Sequence, residues 1–191
     1  MSGAARTRRA HIVGAATSVF LRYGFGRTTM ADIAQASGLS RPTLYLTFPD
    51  KESVFRAVIE AMIEAKMAQV RTGVSSLTSL GEKLLYACNA WAAEGYELVQ
   101  AHPDARDMFD LGFESVCAGY QAFQDVIAAI VREGAGRSAL GITPAKLARS
   151  IVYALKGFKD IAADSADLRS LIATHVAVVT TALSKRGRTR S

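Results

Sequence analysis

Apolar positions recur at helical spacing along most of the chain, punctuated by Gly, Pro and short polar clusters. Ile12, Ala16, Val19, Phe20 and Tyr23 predict a first helix over 6–23, ending at Gly24 after a loose start over 1–5. Two short helices are expected over 30–37 and 41–47. A long one follows over 50–71, with Phe55, Val58, Ile59, Met62, Lys66 and Val70 on one stripe and Val54, Ile63 and Met67 widening it. The polar run 72–79 reads as a loop. Leu80, Leu84, Leu85, Cys88 and Trp91 place a helix over 80–94 that Gly95 breaks or bends, and a short helix reaches His102. Pro103 stops that helix, Asp104 is expected to cap the next turn, residues 105–112 form a short helix or the start of a longer one, and a long helix from Phe113 to Val131 ends at Gly134 and Gly136. Thr143 and Pro144 open a helix to about 163, and another runs over 167–184. No period-2 segment stands out. The pattern predicts an all-α protein of about nine helices, in which three helices over 1–50 precede a larger helical part over 51–184 and a basic disordered tail over 185–191.

The most informative stretch is 27–51. Thr29 is placed to N-cap a helix, and Asp32 three residues on completes a capping box. Ile33 and Ala34 face inward, and Ala34 and Ala36 let a second helix approach closely. Gly38 supplies the positive φ that ends the helix, Leu39 anchors the turn, Ser40 caps the next helix and Pro42 sits in its first turn. Phe48-Pro49 closes it. A helix, a glycine turn and a second short helix make a helix-turn-helix. At 100° per residue Leu44 and Phe48 turn to the core, Pro42 and Leu46 point away, Thr43, Tyr45 and Thr47 lie on the flanks, and Arg41 lies at the N-terminal end. An exposed leucine on so short a helix suits a major groove, where thymine methyls take apolar contacts.

These residues resemble the TetR family of transcriptional repressors. The shared pattern is Thr28-Thr29, Asp32-Ile33-Ala34, Ala36-x-Gly38, Ser40, Thr43-Leu44-Tyr45-x-x-Phe48 and Lys51, uninterrupted over about 25 residues. The resemblance implies phosphate contacts from Thr28, Ser40, Tyr45 and Lys51, and base readout around Arg41, Pro42, Thr43, Leu46 and Thr47. With Thr29, these make the expected DNA-binding set. Pro42, Leu46 and Thr47 depart from the commonest family residues, so the operator is this chain's own. The resemblance also implies a homodimer on a palindromic operator and a small molecule that moves the long fourth helix to release DNA.

Charge agrees with a polyanion partner. The 191-residue chain has net charge +6, and residues 1–51 hold seven arginines and lysines against two aspartates. Arg6, Arg8 and Arg9 either meet phosphates as an arm or are simply solvated, and the neighbouring motif favours the arm. They precede an apolar run over 12–21 that mimics a secretory signal, but no small-x-small cleavage site follows, and the run carries a helical stripe. Cys88 and Cys117, with no export signal, fit a reducing cytoplasm. No stretch approaches about 18 uninterrupted apolar residues, so no membrane partner is expected.

In the last two helices Ile151, Leu155, Phe158, Ile172, Val176, Val179 and Leu183 form the expected dimer contact, because their apolar arcs exceed one core. An apolar or aromatic ligand is expected among Tyr86, Asn89, Trp91, Met108, Phe109, Phe113, Cys117 and Tyr120, with Gln121 and His102 as further polar handles. No enzyme is expected, and no cofactor or metal. His11, His102 and His175 are scattered, and no Gly-rich phosphate loop occurs. The competing readings are a helical protein-interaction module and a redox-responsive regulator using the two cysteines.

Overall fold

The computed structural model describes residues 3–134 and 141–184, and all their regular structure is helical. Among the described residues there are nine α-helices: α1 (Gly3–Arg27), α2 (Met30–Ala36), α3 (Arg41–Tyr45), α4 (Lys51–Ser75), α5 (Leu80–Cys88), α6 (Glu94–Ala101), α7 (Glu114–Gly134), α8 (Pro144–Ile161) and α9 (Ser165–Ser184). A π-helical turn (Asn89–Ala93) joins α5 to α6, and a 3-10 helix (Pro103–Phe109) follows α6. The tail over 185–191 and Gly136 lie outside the described residues. The chain divides into two compact units, Met1–Ala65 with Val99–Gly119, and Lys66–Leu98 with Tyr120–Ser191.

The first unit is built on Ile12, Ala16, Val19 and Phe20 of α1, Ile33 and Ala34 of α2, Leu44 of α3, and Val54, Phe55, Val58 and Ile59 of α4, all buried. Ala36, expected to ease helix approach, is exposed. The helix starting at Gly3 overruns the loose start expected, and α1 also continues past Gly24 through a kink at that residue, φ 75 and ψ 171. The reason is a clamp. The Asp107 carboxylate accepts the Phe25 N–H at 2.9 Å and the Gly26 N–H at 2.8 Å. Arg27 pairs with Asp104 at 2.6 Å. A Cβ on Gly24 would lie 2.2 Å from the Asp104 carbonyl oxygen, so only glycine fits both the angle and the space. Phe25, Phe55 and Phe113 meet beside the clamp with ring centroids 4.6–4.9 Å apart. Asp104 does not cap the 3-10 helix: His102 holds the N-cap position without a side-chain bond, and Asp104 pairs with Arg27 instead.

The second unit packs α5 and the π-helical turn against α8 and α9. Leu84, Ala87 and Cys88 of α5, Ala90, Ala92 and Ala93 of the turn, Phe123 and Ile127 of α7, Ile151 and Leu155 of α8, and Leu168 and Ile172 of α9 are buried. Two expectations change here. Residues 72–75 extend α4, and Gly73 inside it leaves room for Tyr86: a Cβ there would lie 2.1 Å from the Tyr86 ring. Gly95 does not end the helix, which runs on from the π turn into α6. By length and composition alone, α9 is long and apolar enough to cross a membrane. Its Leu168–Ile172–Val176 stripe is turned into the unit's own core.

Candidate nucleic-acid interface

The interface is framed by two caps and a glycine. Thr29 Oγ1 donates to Asp32 Oδ2 at 2.6 Å and accepts from the Asp32 N–H at 3.3 Å, while the Thr29 N–H donates to Asp32 Oδ2 at 2.8 Å. The Thr29 hydroxyl, then its N–H, hold the Asp32 carboxyl below the usual aspartate range. Gly38 takes φ 65, and the Leu39 N–H reaches back to Ala34 O at 3.0 Å. Ser40 Oγ accepts from the Thr43 N–H at 3.4 Å and bonds Thr43 Oγ1 at 2.8 Å. The turn is held from α1 as well, where His11 Nε2 lies 2.9 Å from Ser37 O.

On this frame α3 shows two sides. Leu44 is fully buried and Phe48 nearly so. Leu46, on the opposite side, is 84% exposed, Tyr45 is 49% exposed, and Arg41 and Pro42 are exposed. Thr43 and Thr47 are half-buried flanks and Ser40 is exposed. Arg9 of α1 lays its guanidinium 4.5 Å from the Phe48 ring centroid, which puts a cation beside α3. Its neighbours Arg6 and Arg8 are exposed.

Two expected phosphate ligands are engaged within the fold. Thr28 is 1% exposed and its hydroxyl donates to the Gly24 carbonyl at 2.7 Å. That side chain serves the kink and is not offered to solvent. Lys51 Nζ donates to the Phe25 carbonyl at 2.9 Å and lies 4.3 Å from the Phe25 ring centroid, half-buried.

The ligand candidates fall in different units. Met108, Phe109, Phe113 and Cys117 belong to the first, where Met108 is core and Phe113 joins the Phe25–Phe55 cluster. His102 also lies in the first unit. Tyr86, Asn89, Trp91, Tyr120 and Gln121 belong to the second. There Trp91 stacks on Phe123 at 4.7 Å and meets Tyr120 edge-on at 5.5 Å. Buried atoms Asn89 Oδ1, Trp91 Nε1 and His175 Nε2 have no hydrogen-bond partner. Sequence reasoning missed Lys159, whose Nζ lies 3.3 Å from Tyr120 Oη; only its place one residue past Phe158 on α8 could have flagged it.

The expected dimer stripe is also corrected. Ile151, Leu155, Ile172 and Val176 are buried within the chain's own core, so they are not available to a partner. Phe158, Val179 and Leu183 are half-buried. The exposed large apolar side chains of α8 and α9 are Tyr153, Ile161 and Val178. Cys88 is sealed, with burial pushing its thiol up to about 12, whereas Cys117 is exposed. Among the described residues no His, Cys, Asp and Glu cluster could hold a metal.

Residues 12–58 match the family model described as bacterial regulatory proteins, tetR family. The chain is 46% identical over 57 residues to the uncharacterized HTH-type transcriptional regulator YfiR of Bacillus subtilis, covering 30% of this chain and 28% of that protein. It is 41% identical over 49 residues to the HTH-type transcriptional repressor ComR of Escherichia coli, covering 26% and 23%. The chain therefore aligns with under a third of the length of either relative. A TetR-family regulator from Cytophaga hutchinsonii superposes with TM-score 0.75 at 16% identity, over 97% of this chain and 100% of that one. That likeness extends the shared fold to the whole all-helical architecture.

Proposed function

We propose, for a chain that belongs to the tetR family of bacterial regulatory proteins through its residues 12–58, a sequence-specific DNA-binding regulator that represses transcription. It would bind a palindromic operator as a homodimer and let go when a small molecule binds. The carrying observation is α3 itself: Leu46 is 84% exposed while Leu44, two residues away, is fully buried. A leucine held out on a capped helix, with Arg41, Pro42 and Tyr45 exposed beside it, has the chemistry of a major-groove reader. In this reading Leu46, Pro42, Thr43, Thr47 and Arg41 read bases. Ser40, Tyr45, Thr29, Lys51 through the ammonium donors that the Phe25 carbonyl does not take, and the α1 arginines meet phosphates, which fix register without specifying sequence.

One copy of α3 covers little DNA. Two on a two-fold axis reach successive major grooves about 34 Å apart. Tyr153, Ile161 and Val178 support a second copy as the partner of α8 and α9, since these apolar side chains are uncovered in the single chain. The domain plan that goes with this is a head over 1–50 and a ligand-binding, dimerising body over 51–184, with α4 carrying the ligand's effect to the head. The ligand must prefer one head spacing over the other, or it shifts nothing. Of the candidates, Tyr86, Asn89, Trp91 and Tyr120 are retained for it. A repressor of this kind works in the cytoplasm, where its operator is, and needs no catalytic step.

The test is a gel shift at low ionic strength with the DNA upstream of the protein's own gene against the same bases scrambled. Preferential retardation of the first, weakened by Tyr45→Phe and Lys51→Ala for all sequences alike, is the expected result. Equal behaviour towards both DNAs would reject sequence-specific regulation and leave the helical protein-interaction reading.

A further inference from the structure

We propose that the interior of the second unit binds the carboxylate of an otherwise apolar small molecule, with Lys159 as the cation and Trp91 and Tyr120 beside it. This rests on the reading of the chain as a ligand-responsive regulator and names the class of ligand.

Lys159 sits on α8 with Nζ 3.3 Å from Tyr120 Oη and 5.6 Å from the Tyr120 ring centroid. No carboxylate among the described residues pairs with it, and its neighbours Lys156 and Asp160 pair with each other at 3.1 Å. Burial holds the Lys159 amine below its usual range, so the fold keeps a cation where charge is disfavoured. An ammonium held so, facing a phenol and an aromatic wall, is stabilised by an incoming anion.

The surroundings narrow the anion. Tyr120 meets Trp91 edge-on and Trp91 stacks on buried Phe123, which makes a continuous apolar wall next to the charge. Trp91 and Asn89 belong to the π-helical turn, which packs against α8 and α9. Such turns are frequent at functional sites because they re-aim side chains. The indole N–H of Trp91 is a buried donor without a partner, and Asn89 Oδ1 and His175 Nε2 are likewise unpartnered. Buried polar groups are ordinarily satisfied, so three orphans in one unit mark an interior shaped for something polar that is not protein. One ammonium with a neutral indole donor matches a singly charged carboxylate. A phosphate would call for more cations and bidentate arginine. Phe158, 5.5 Å from His175, continues the apolar lining.

Trp91 is the chain's single tryptophan, so its emission reports on the site directly. The full-length protein is titrated with decanoate and with 4-butylbenzoate, each against its matching primary alcohol and against decyltrimethylammonium. Saturable emission changes are expected with both acids, at roughly tenfold lower concentration than with the uncharged or cationic probes. Lys159→Met removes that preference and raises the melting temperature of the free protein, because it deletes a disfavoured charge; Lys159→Arg keeps the preference. A merely structural lysine gives a lower melting temperature and no change in preference on substitution by Met, which would overturn the proposal. Equal response to acids and alcohols, or no saturable response to either acid, would overturn it too. The parent reading is scored separately by the gel shift. Operator DNA released by an uncharged compound sinks only the carboxylate, and absence of specific retardation sinks only the regulator.

Discussion

The two units treat their buried polar groups in opposite ways. In the first, the groups around the turn are satisfied: Thr28 bonds the Gly24 carbonyl, Ser37 Oγ donates to Ile33 O at 2.8 Å, and Asp107 takes two N–H groups at the kink. In the second, Asn89 Oδ1, Trp91 Nε1 and His175 Nε2 are buried without partners, and among the described residues Lys159 forms no salt bridge. A closed polar network fixes one conformation and leaves the outward face to do the work. On the proposed reading, an open one leaves the interior to be completed by a ligand. The contrast is that between a presenting frame and a receiving interior.

The frame is tested hardest at its kink. Gly24→Ala places a Cβ against the Asp104 carbonyl in a backbone region that only glycine adopts freely, and is expected to cost about 3 kcal/mol or more in urea unfolding. Leu44→Ala should cost about 3 kcal/mol by cavity formation, measured in the same way. On the outer face of the second unit, Val178→Glu should give a folded monomer by sedimentation with operator affinity reduced about a hundredfold, while Val176→Glu should fail to fold. A folded Val178→Glu monomer with full affinity would break the two-head requirement. Leu46→Ala should leave stability within about 0.5 kcal/mol, yet relax preference at one base pair by about 1–2 kcal/mol in a binding-site selection. If the selected motif is unchanged, Leu46 is not a reader.

The smallest effect concerns the cap. Thr29→Ala should cost about 1 kcal/mol. The Asp32 carboxyl is held down in the fold, so its contribution is present above the ordinary aspartate range and fades as pH falls through the lowered value. The penalty for Thr29→Ala should therefore shrink in acid, read from unfolding curves at stepped pH.

The head was legible because local rules set it. Thr29 with Asp32, Gly38, and Ser40 with Pro42 each announce a boundary within four residues, and the same spacing puts Leu44 inward and Leu46 outward. The body was less legible because its decisive contacts are distant in sequence. Periodicity found apolar stripes on α8 and α9 but could not say which stripe meets the chain's own core, so Ile151 and Val176 were expected outward and are buried. Gly73 reads as a loop residue from its neighbours alone, whereas Tyr86 packs where its Cβ would lie, and Gly95 reads as a break or bend although the helix runs on from the π turn into α6.

The sequence by itself determined the helix-turn-helix, its caps, the exposed side of its second helix and the all-helical class, because capping, glycine turns and helical period act over one or two turns. Only the tertiary structure decided that Asp107 holds the kink at Gly24, that Thr28 is turned inward, and that Lys159 meets Tyr120 beside Trp91. Those relations join residues from 4 to 82 positions apart, and at the longer separations no local periodicity encodes which side chains will meet.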